Sequence, residues 1–248
     1  MGYVFDFHDA ASYDKWLQKP ANKLAFSLET NLMINMLKPE QGRMVLDIGC
    51  GTGAGLLEYL EMGLQVTGID PSPYMLDIAA SKVKNRADLH RGFAERLPFD
   101  DNSFHYASLI TTLEFVEDPG KALEEAFRVT KDRVFIGVLN RYALKSFQRR
   151  VKGIFTSTIF NHAQFFSIWE LKQIIKMILG DIPLSWGTVC QFPFSSYRFV
   201  SMLERNRIIQ KCPFGTFVGM MVIPVPSYKT TLLSVKCCVN HSTGVARG

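Results

Sequence analysis

At 248 residues the chain suits one α/β domain with elaborations, and 47% hydrophobic against 21% charged residues describes a folded globular protein, not a disordered or fibrous one. No basic region followed by an apolar core opens the sequence, and the longest apolar stretch, Phe217 to Val225, is broken by Gly219 and Pro224 and too short to cross a bilayer. Five irregularly spaced cysteines without a C-x-x-C pair fit reduced thiols and no zinc site, so the expected setting is cytoplasmic. The net charge of +5 is unevenly placed. Residues 141–165 hold five basic side chains and no acid, and residues 191–225 hold four against Glu204.

The first twenty residues are dense in aromatics, with Tyr3, Phe5, Phe7, Tyr13 and Trp16. Leu24, Leu28, Leu32 and Met36 then repeat at helical spacing and predict an amphipathic helix over 22–37. Met44 to Ile48 reads as a buried strand that runs into Gly49, Cys50, Gly51, Thr52 and Gly53, after which Leu56, Leu57 and Leu60 mark a helix. Glycines free the turn of Cβ atoms, and the helix start offers unpaired N–H groups, so strand, turn and helix form a cradle for a nucleotide-sized ligand. Asp47 sits near the strand's carboxyl end, two residues before the first glycine. A carboxylate there suits a cationic or hydroxyl-rich ligand and repels a pyrophosphate. That counts against a dinucleotide site, although Gly49, Gly51 and Ala54 satisfy the dinucleotide glycine pattern.

Leu64 to Ile69 predicts the second strand, ending at Asp70, where an acid can accept both hydroxyls of a ribose. Ser72 and Pro73 read as N-cap and first residue of the next helix, and Tyr74 and Met75 follow. Residues 87–91 and Phe104 to Ile110 predict the third and fourth strands, with a turn at Asp100 to Ser103. Thr111 to Val116 leaves the sheet where open α/β sheets bind ligands. Asp118-Pro119 opens a helix, and Arg133 to Leu139 is the fifth strand. Residues 140–166 read as an insertion with basic residues between apolar ones, ending near His162. Ser167 to Glu170 is a capping box for a helix that stops at Gly180, and Ser185 to Cys190 is a sixth strand. Residues 191–225 read as a second, aromatic insertion, and Thr230 to Val239 as the last strand.

The stretch Val45 to Gly53 closely resembles the first motif of the class I S-adenosylmethionine (SAM)-dependent methyltransferases, nearest the broad group that includes the ubiquinone and menaquinone methyltransferases. The resemblance covers roughly residues 10–190 and implies a Rossmann-like sheet of seven strands, mostly parallel with an antiparallel last strand and helices on both faces. It implies N-terminal helices (1–40) folded over the SAM site as a lid, with Tyr13 and Trp16 as contacts. SAM carries an ammonium and a sulfonium and no phosphate, which matches acids at two neighbouring strand tips. The expected SAM-binding residues are Tyr13, Trp16, Asp47, Gly49, Cys50, Gly51, Gly53, Asp70, Pro71, Met75, Phe93, Ala94, Glu95 and Thr111. One departure stands out: the family stretch reads Gly-Asp-Ala-Glu-x-Leu-Pro-Phe, whereas Gly92 is followed here by Phe93, so adenine is expected to be held by stacking on Phe93 and by Ala94 backbone groups.

The expectation is one domain over 1–248 that transfers a methyl group to a small-molecule acceptor, with 140–166 and 191–225 as substrate caps. Positive charge beside aromatics suits an acidic or aromatic acceptor and leaves a peripheral membrane contact open, while the few basic residues disfavour nucleic acid. General-base candidates are His162, Glu114 and Tyr13. Three rival readings fit the residues less well. An NAD(P)-dependent oxidoreductase lacks a recognisable hydride-transfer dyad, and a non-catalytic SAM-binding protein is disfavoured by the intact motif. Arsenite methylation through Cys190, Cys212 and Cys237/Cys238 has no recognisable spacing.

Overall fold

A computed structural model describes residues 2–143, 162–190 and 209–224. Most of both predicted caps, including Lys145, Arg149, Arg150, Lys152, Arg198, Arg205 and Arg207, lies outside these residues, as does Thr230 to Val239.

Two helices open the chain, α1 (Phe7–Leu17) and α2 (Pro20–Leu37). Asp6 caps α1 through a reciprocal box with Asp9, and Pro20 begins α2. The aromatic segment is therefore a helix of its own, separated from the predicted one by Gln18 and Lys19. There follow β1 (Met44–Ile48), α3 (Ala54–Glu61), β2 (Gln65–Asp70), α4 (Pro73–Val83), β3 (Ala87–Arg91), β4 (Phe104–Ile110), α5 (Pro119–Val129), β5 (Thr130–Leu139), α6 (Ile168–Leu179), β6 (Leu184–Val189) and β7 (Phe217–Val222). The predicted caps are all present. Ser72 Oγ accepts from the Met75 N–H at 3.3 Å, the Asp118 side chain caps α5, Ser167 and Glu170 form the box of α6, and Gly180 ends it.

The seven strands run in the order β3-β2-β1-β4-β5-β7-β6. Strands β1 to β5 pair in parallel, and β7 is antiparallel to both β5 and β6. One prediction is corrected here. The seventh strand of this sheet is Phe217–Val222, inside the stretch read as the second cap. The alternation of apolar residues was too uniform to look like a half-buried strand, because β7 is covered on both faces and reads as a continuous apolar run.

Each sheet face carries its own core. Leu46, Ile48, Leu109, Ile136 and Val138 pack against Leu123, Ala126 and Phe127 of α5 and Leu171 and Ile175 of α6. Val45, Val66, Phe135 and Phe217 pack against Leu28, Leu32, Met33 and Leu37 of α2, Leu56 and Tyr59 of α3, and Ala79 and Val83 of α4. Register places Gly137, Gly219 and Gly187 side by side across β5, β7 and β6. An added Cβ at Gly219 would lie 2.8 Å from Leu32 Cδ2, and one at Gly187 3.2 Å from Leu32 Cδ1. Gly219 and Gly187 thus form a groove in the sheet that seats Leu32 of α2, whereas a Cβ at Gly137 would strike the Phe217 ring at 2.3 Å.

Candidate active site

The carboxyl ends of β1, β2 and β4 open into a cavity of about 350 Å³. Parallel strands leave their loops and helix starts together at this edge, so residues distant in sequence converge there. The turn after β1 doubles back tightly, with the N–H groups of Gly49 and Cys50 both donating to the Ile69 carbonyl at 2.7 and 3.1 Å. Two of its glycines are needed for close packing: a Cβ at Gly49 would strike Thr112 at 2.4 Å, and one at Gly53 would meet Ala79 at 3.0 Å. Gly51 differs. Its φ is +52°, and nothing stands within 4 Å of where its Cβ would be, so the backbone there is bared to the cavity.

Asp47 and Asp70 are both buried and both line this cavity. Asp47 Oδ1 accepts from the Ser108 hydroxyl at 2.6 Å. Burial pushes its carboxyl up to about 6, against the opposing pull of that hydrogen bond, and the neighbouring Asp70 adds to the rise. Asp70 is held by two backbone donors, Gly51 N–H to Oδ2 and Ser72 N–H to Oδ1, each at 2.9 Å. Its pKa is also raised, with burial outweighing the two N–H groups. Two buried carboxylates at neighbouring strand tips suit a ligand that brings positive charge and hydroxyl donors. Thr52 Oγ1, in the same turn, is buried without a hydrogen-bond partner.

A strap over residues 2–6 crosses the mouth. The Tyr3 N–H donates to the Phe115 carbonyl at 2.8 Å beyond β4, and the Ser72 hydroxyl donates to the Phe5 carbonyl at 2.6 Å beyond β2. The strap spans the tip of β1, which lies between those strands. It leads into α1, which Asp14 pins to Lys82 of α4. Tyr13 and Trp16 of α1 stack at 5.8 Å, and Phe5 sits edge-on to Tyr13 at 6.4 Å. Burial first, then the charges of Glu29, Asp47 and Asp70, hold the Tyr13 phenol far above its ordinary pKa.

Of the predicted SAM-binding residues, Tyr13, Trp16, Asp47, Gly49, Cys50, Gly51, Asp70, Pro71, Met75, Phe93, Ala94, Glu95 and Thr111 all line the cavity. Gly53 does not; it packs beneath the turn on Ala79. Tyr74 turns outward, edge-on to Phe7. Two general-base candidates also stand away from the lining. His162 is exposed and stacks on Tyr3 at 4.5 Å. Glu114 is buried under the fourth and fifth strands, where Oε1 accepts from the Leu139 N–H and Oε2 has no partner, and burial raises its pKa to about 8. For Glu114 this follows from the chain leaving β4 through a turn that points Phe115, not Glu114, at the cavity. Sequence reasoning missed Asn22, Phe26 and Glu29 of α2 and Thr216 before β7, and named Cys190 after β6 only as an arsenite ligand; all five line the cavity. Phe26 and Glu29 lie just off the Leu24–Leu28–Leu32 stripe, the one signal that could have found them. Thr111 and Cys190 hold φ of +54° and +63° at the cavity wall, a conformation rare for β-branched threonine.

A family described as "Methyltransferase domain" matches residues 46–136. An uncharacterised methyltransferase of Mycobacterium tuberculosis is 36% identical over 106 residues, 43% of this chain and 43% of that protein. A demethylmenaquinone methyltransferase of Chlorobaculum tepidum is 40% identical over 96 residues, 38% and 39% of the two chains. The chain therefore covers less than half the length of these curated relatives. An uncharacterised protein of Methanocaldococcus jannaschii is 30% identical over 177 residues, covering 70% of this chain and 78% of that one. Among solved structures, a SAM-dependent methyltransferase of Thermotoga maritima superposes with a TM-score of 0.66 at 26% identity, over 88% of this chain and 97% of that one. Residues 46–136 carry a methyltransferase domain, and relatives and solved structures together support a class I SAM-dependent methyltransferase. A SAM-dependent methyltransferase of Aquifex aeolicus shares the fold, with a TM-score of 0.61 at 19% identity over 89% of this chain. The family is SAM-dependent, and the residues of this methyltransferase site fit SAM: bared Gly51 backbone, paired acids and an unpartnered Thr52 hydroxyl meet a cationic, hydroxyl-bearing ligand without phosphate. The dinucleotide reading is not favoured by the comparisons.

Proposed function

We propose that this chain transfers a methyl group from SAM to a small-molecule acceptor held in the same cavity. The observation that carries the reading is the pair of buried carboxylates, Asp47 and Asp70, at neighbouring strand tips beside the bared Gly51 backbone. When bound, SAM supplies a methyl carbon already activated by its sulfonium. Asp47 is the partner for positive charge on the methionine side, and Asp70 for the ribose hydroxyls. Phe93 and Ala94 flank the adenine, and Met75 packs beside it. Thr111 and the turn glycines shape the wall. The strap and α1 keep water from the methyl, so that positioning and exclusion supply most of the acceleration.

Tyr13 is the one general-base candidate of the three that faces the cavity. Its phenol holds its proton tightly, so it donates a hydrogen bond and orients a partner instead of withdrawing a proton. Calorimetry with SAM and NAD side by side tests the ligand, and mass spectrometry of a metabolite extract incubated with methyl-labelled SAM tests the transfer. Binding of NAD but not SAM, or an extract with no labelled product, defeats the reading.

A further inference from the structure

The rim around the cavity mouth is where the chain leaves its aromatic side chains in water. Among the described residues six aromatic side chains are exposed, from 41% for Phe93 to 62% for Phe7 and Phe214. Topology puts all six on one edge of the molecule. Strands β1 to β5 are parallel, and β6, antiparallel to β7 as β5 is, runs with them. Their carboxyl ends therefore share an edge, and β7 starts there. Tyr74 follows β2, Phe93 follows β3, Tyr142 follows β5 and Phe214 precedes β7. Phe7, at the start of α1, sits edge-on to Tyr74 at 5.9 Å, and Trp169, at the start of α6, sits edge-on to Tyr142 at 6.0 Å. The Asn140 amide fixes the second cluster, donating at 2.7 and 2.8 Å to the Pro213 and Gly215 carbonyls on either side of Phe214. The other exposed large apolar side chains, Met177 and Ile223, stand toward the opposite edge. Rings gathered on one face mark a contact surface.

The charges on the same rim select the partner. The corner between α1 and α2 puts Trp16, Leu17 and Asn22 into the cavity wall. Its outer side is basic: residues 15–28 hold Lys15, Lys19 and Lys23 and no acid. All three lysines are exposed, and none of their ammonium groups has a partner among the described residues. The corner is held in shape, because the Asn22 amide and the Lys19 N–H both donate to the Trp16 carbonyl, at 2.8 and 3.2 Å. Neighbouring acids are engaged. Asp14 pairs with Lys82 and Glu170 with Arg141, Asp9 accepts from the Tyr3 hydroxyl at 2.6 Å, and Asp118 caps α5. In sequence, the stretch between Ala143 and His162 adds Lys145, Arg149, Arg150 and Lys152 and no acid. Rings and free ammonium groups on one face match the boundary of a bilayer with anionic headgroups, where the two find acyl chains and phosphates side by side. A second copy of the chain would bring the same lysines and repel.

We infer that this rim is a membrane-docking face: Lys15, Lys19 and Lys23 meet anionic headgroups while Trp169, Phe214 and their neighbours enter the boundary between headgroups and acyl chains, setting the cavity mouth against lipid. Phe93 belongs both to the rim and to the cavity wall, so the two surfaces are continuous. The wall also holds Val4, Phe5, Leu17 and Phe115. An apolar molecule dissolved in the bilayer enters such a cavity without crossing water; that consequence rests on the methyltransferase reading above, whereas the docking does not. Each lysine near an anionic surface is worth about fivefold in affinity, so the three together reach about 100-fold.

The test sediments the full chain with vesicles of phosphatidylcholine alone and of equimolar phosphatidylcholine and phosphatidylglycerol. The chain should bind the mixed vesicles at about 0.1 M salt, bind the neutral ones about tenfold more weakly, and lose most of its affinity at about 1 M salt, where screening is severe. Lys15→Gln with Lys19→Gln and Lys23→Gln should weaken binding to the mixed vesicles about 10- to 100-fold. Trp169→Ala with Phe214→Ala keeps every lysine and should weaken it about tenfold. Brominated acyl chains should quench the tryptophan fluorescence of the wild type more than that of Trp169→Phe. None of these side chains lines the cavity, so all variants should bind S-adenosylhomocysteine as the wild type does. Absence of binding to the mixed vesicles, or equal binding by the wild type and both multiple variants, overturns the docking face. So does self-association without lipid that Trp169→Ala with Phe214→Ala abolishes, since the rim is then a protein interface. Failure of the wild type to bind S-adenosylhomocysteine defeats the methyltransferase reading and leaves the vesicle result standing, so the two failures are told apart.

Discussion

Replacing Asp47 by asparagine should make the ligand-free protein more stable and less able to bind SAM. Asp47 is 5% exposed, and its carboxyl is lifted from 3.8 to about 6 by burial. The folded state therefore holds a proton that the unfolded chain has released between these values, and stability falls as pH rises through that window. A rise of about two units corresponds to about 3 kcal/mol of lost stability once the pH exceeds about 6. Asparagine removes that loss, and its carbonyl oxygen can still accept from the Ser108 hydroxyl. Its amide N–H₂ gains no evident partner, which costs about 1–2 kcal/mol, so a net gain of about 1–2 kcal/mol is expected near neutral pH. For a chain of this size that raises the melting temperature by about 2–8 °C. Below about pH 4 the gain should vanish, because the wild-type carboxyl is then neutral in both states. Loss of a charge-assisted contact should weaken SAM binding about 10- to 100-fold at the same time. Thermal melts across pH, paired with calorimetry, check both halves. A variant that is destabilised equally at both ends of the pH range, or that binds SAM as before, refutes the argument.

Other changes follow from the same geometry. Gly51→Ala meets no atom within 4 Å, so it should lower stability by only about 1 kcal/mol for its φ of +52° while cutting SAM affinity at least about tenfold, as read by paired melts and calorimetry. Ser72→Ala removes both the cap of α4 and the tie to the Phe5 carbonyl, so it should cost about 1–2 kcal/mol and raise hydrogen exchange over residues 3–6. The folded-state pKa of Glu114, raised from 4.5 to about 8, means that wild-type stability declines between those values; Glu114→Gln, which can still accept from the Leu139 N–H, should flatten that decline in urea melts run across pH.

Most of the site was legible because its chemistry is concentrated at strand tips. A buried apolar run, a glycine turn and an acid state strand, bend and ligand within nine residues, and Ser72-Pro73 and Asp118-Pro119 announce helix starts by local hydrogen bonding alone. What escaped notice depends on packing over long distance. Glu29 and Phe26 enter the cavity only because α2 lies flat on β5, β7 and β6, which no local pattern states. Phe217–Val222 carries the composition of a buried strand, yet its neighbours are β5 and β6, far earlier in the chain, and its glycine looked like an interruption. His162 and Glu114 were plausible bases by residue type. The turn after β4 buries Glu114 against the Leu139 N–H, and His162, ahead of α6, is exposed and stacks on Tyr3.

The row formed by Gly219 and Gly187 acts as a shim of zero thickness under α2. A methyl group at Gly219 or Gly187 would press on Leu32, and the helix could yield only by rising, carrying Phe26 and Glu29 away from the strand tips. The depth of the chamber, and hence the girth of molecule it admits, is therefore set from beneath by two residues that do not line it. Homologues that differ at this row should differ in the bulk of what they accept, even where every residue facing the guest is the same.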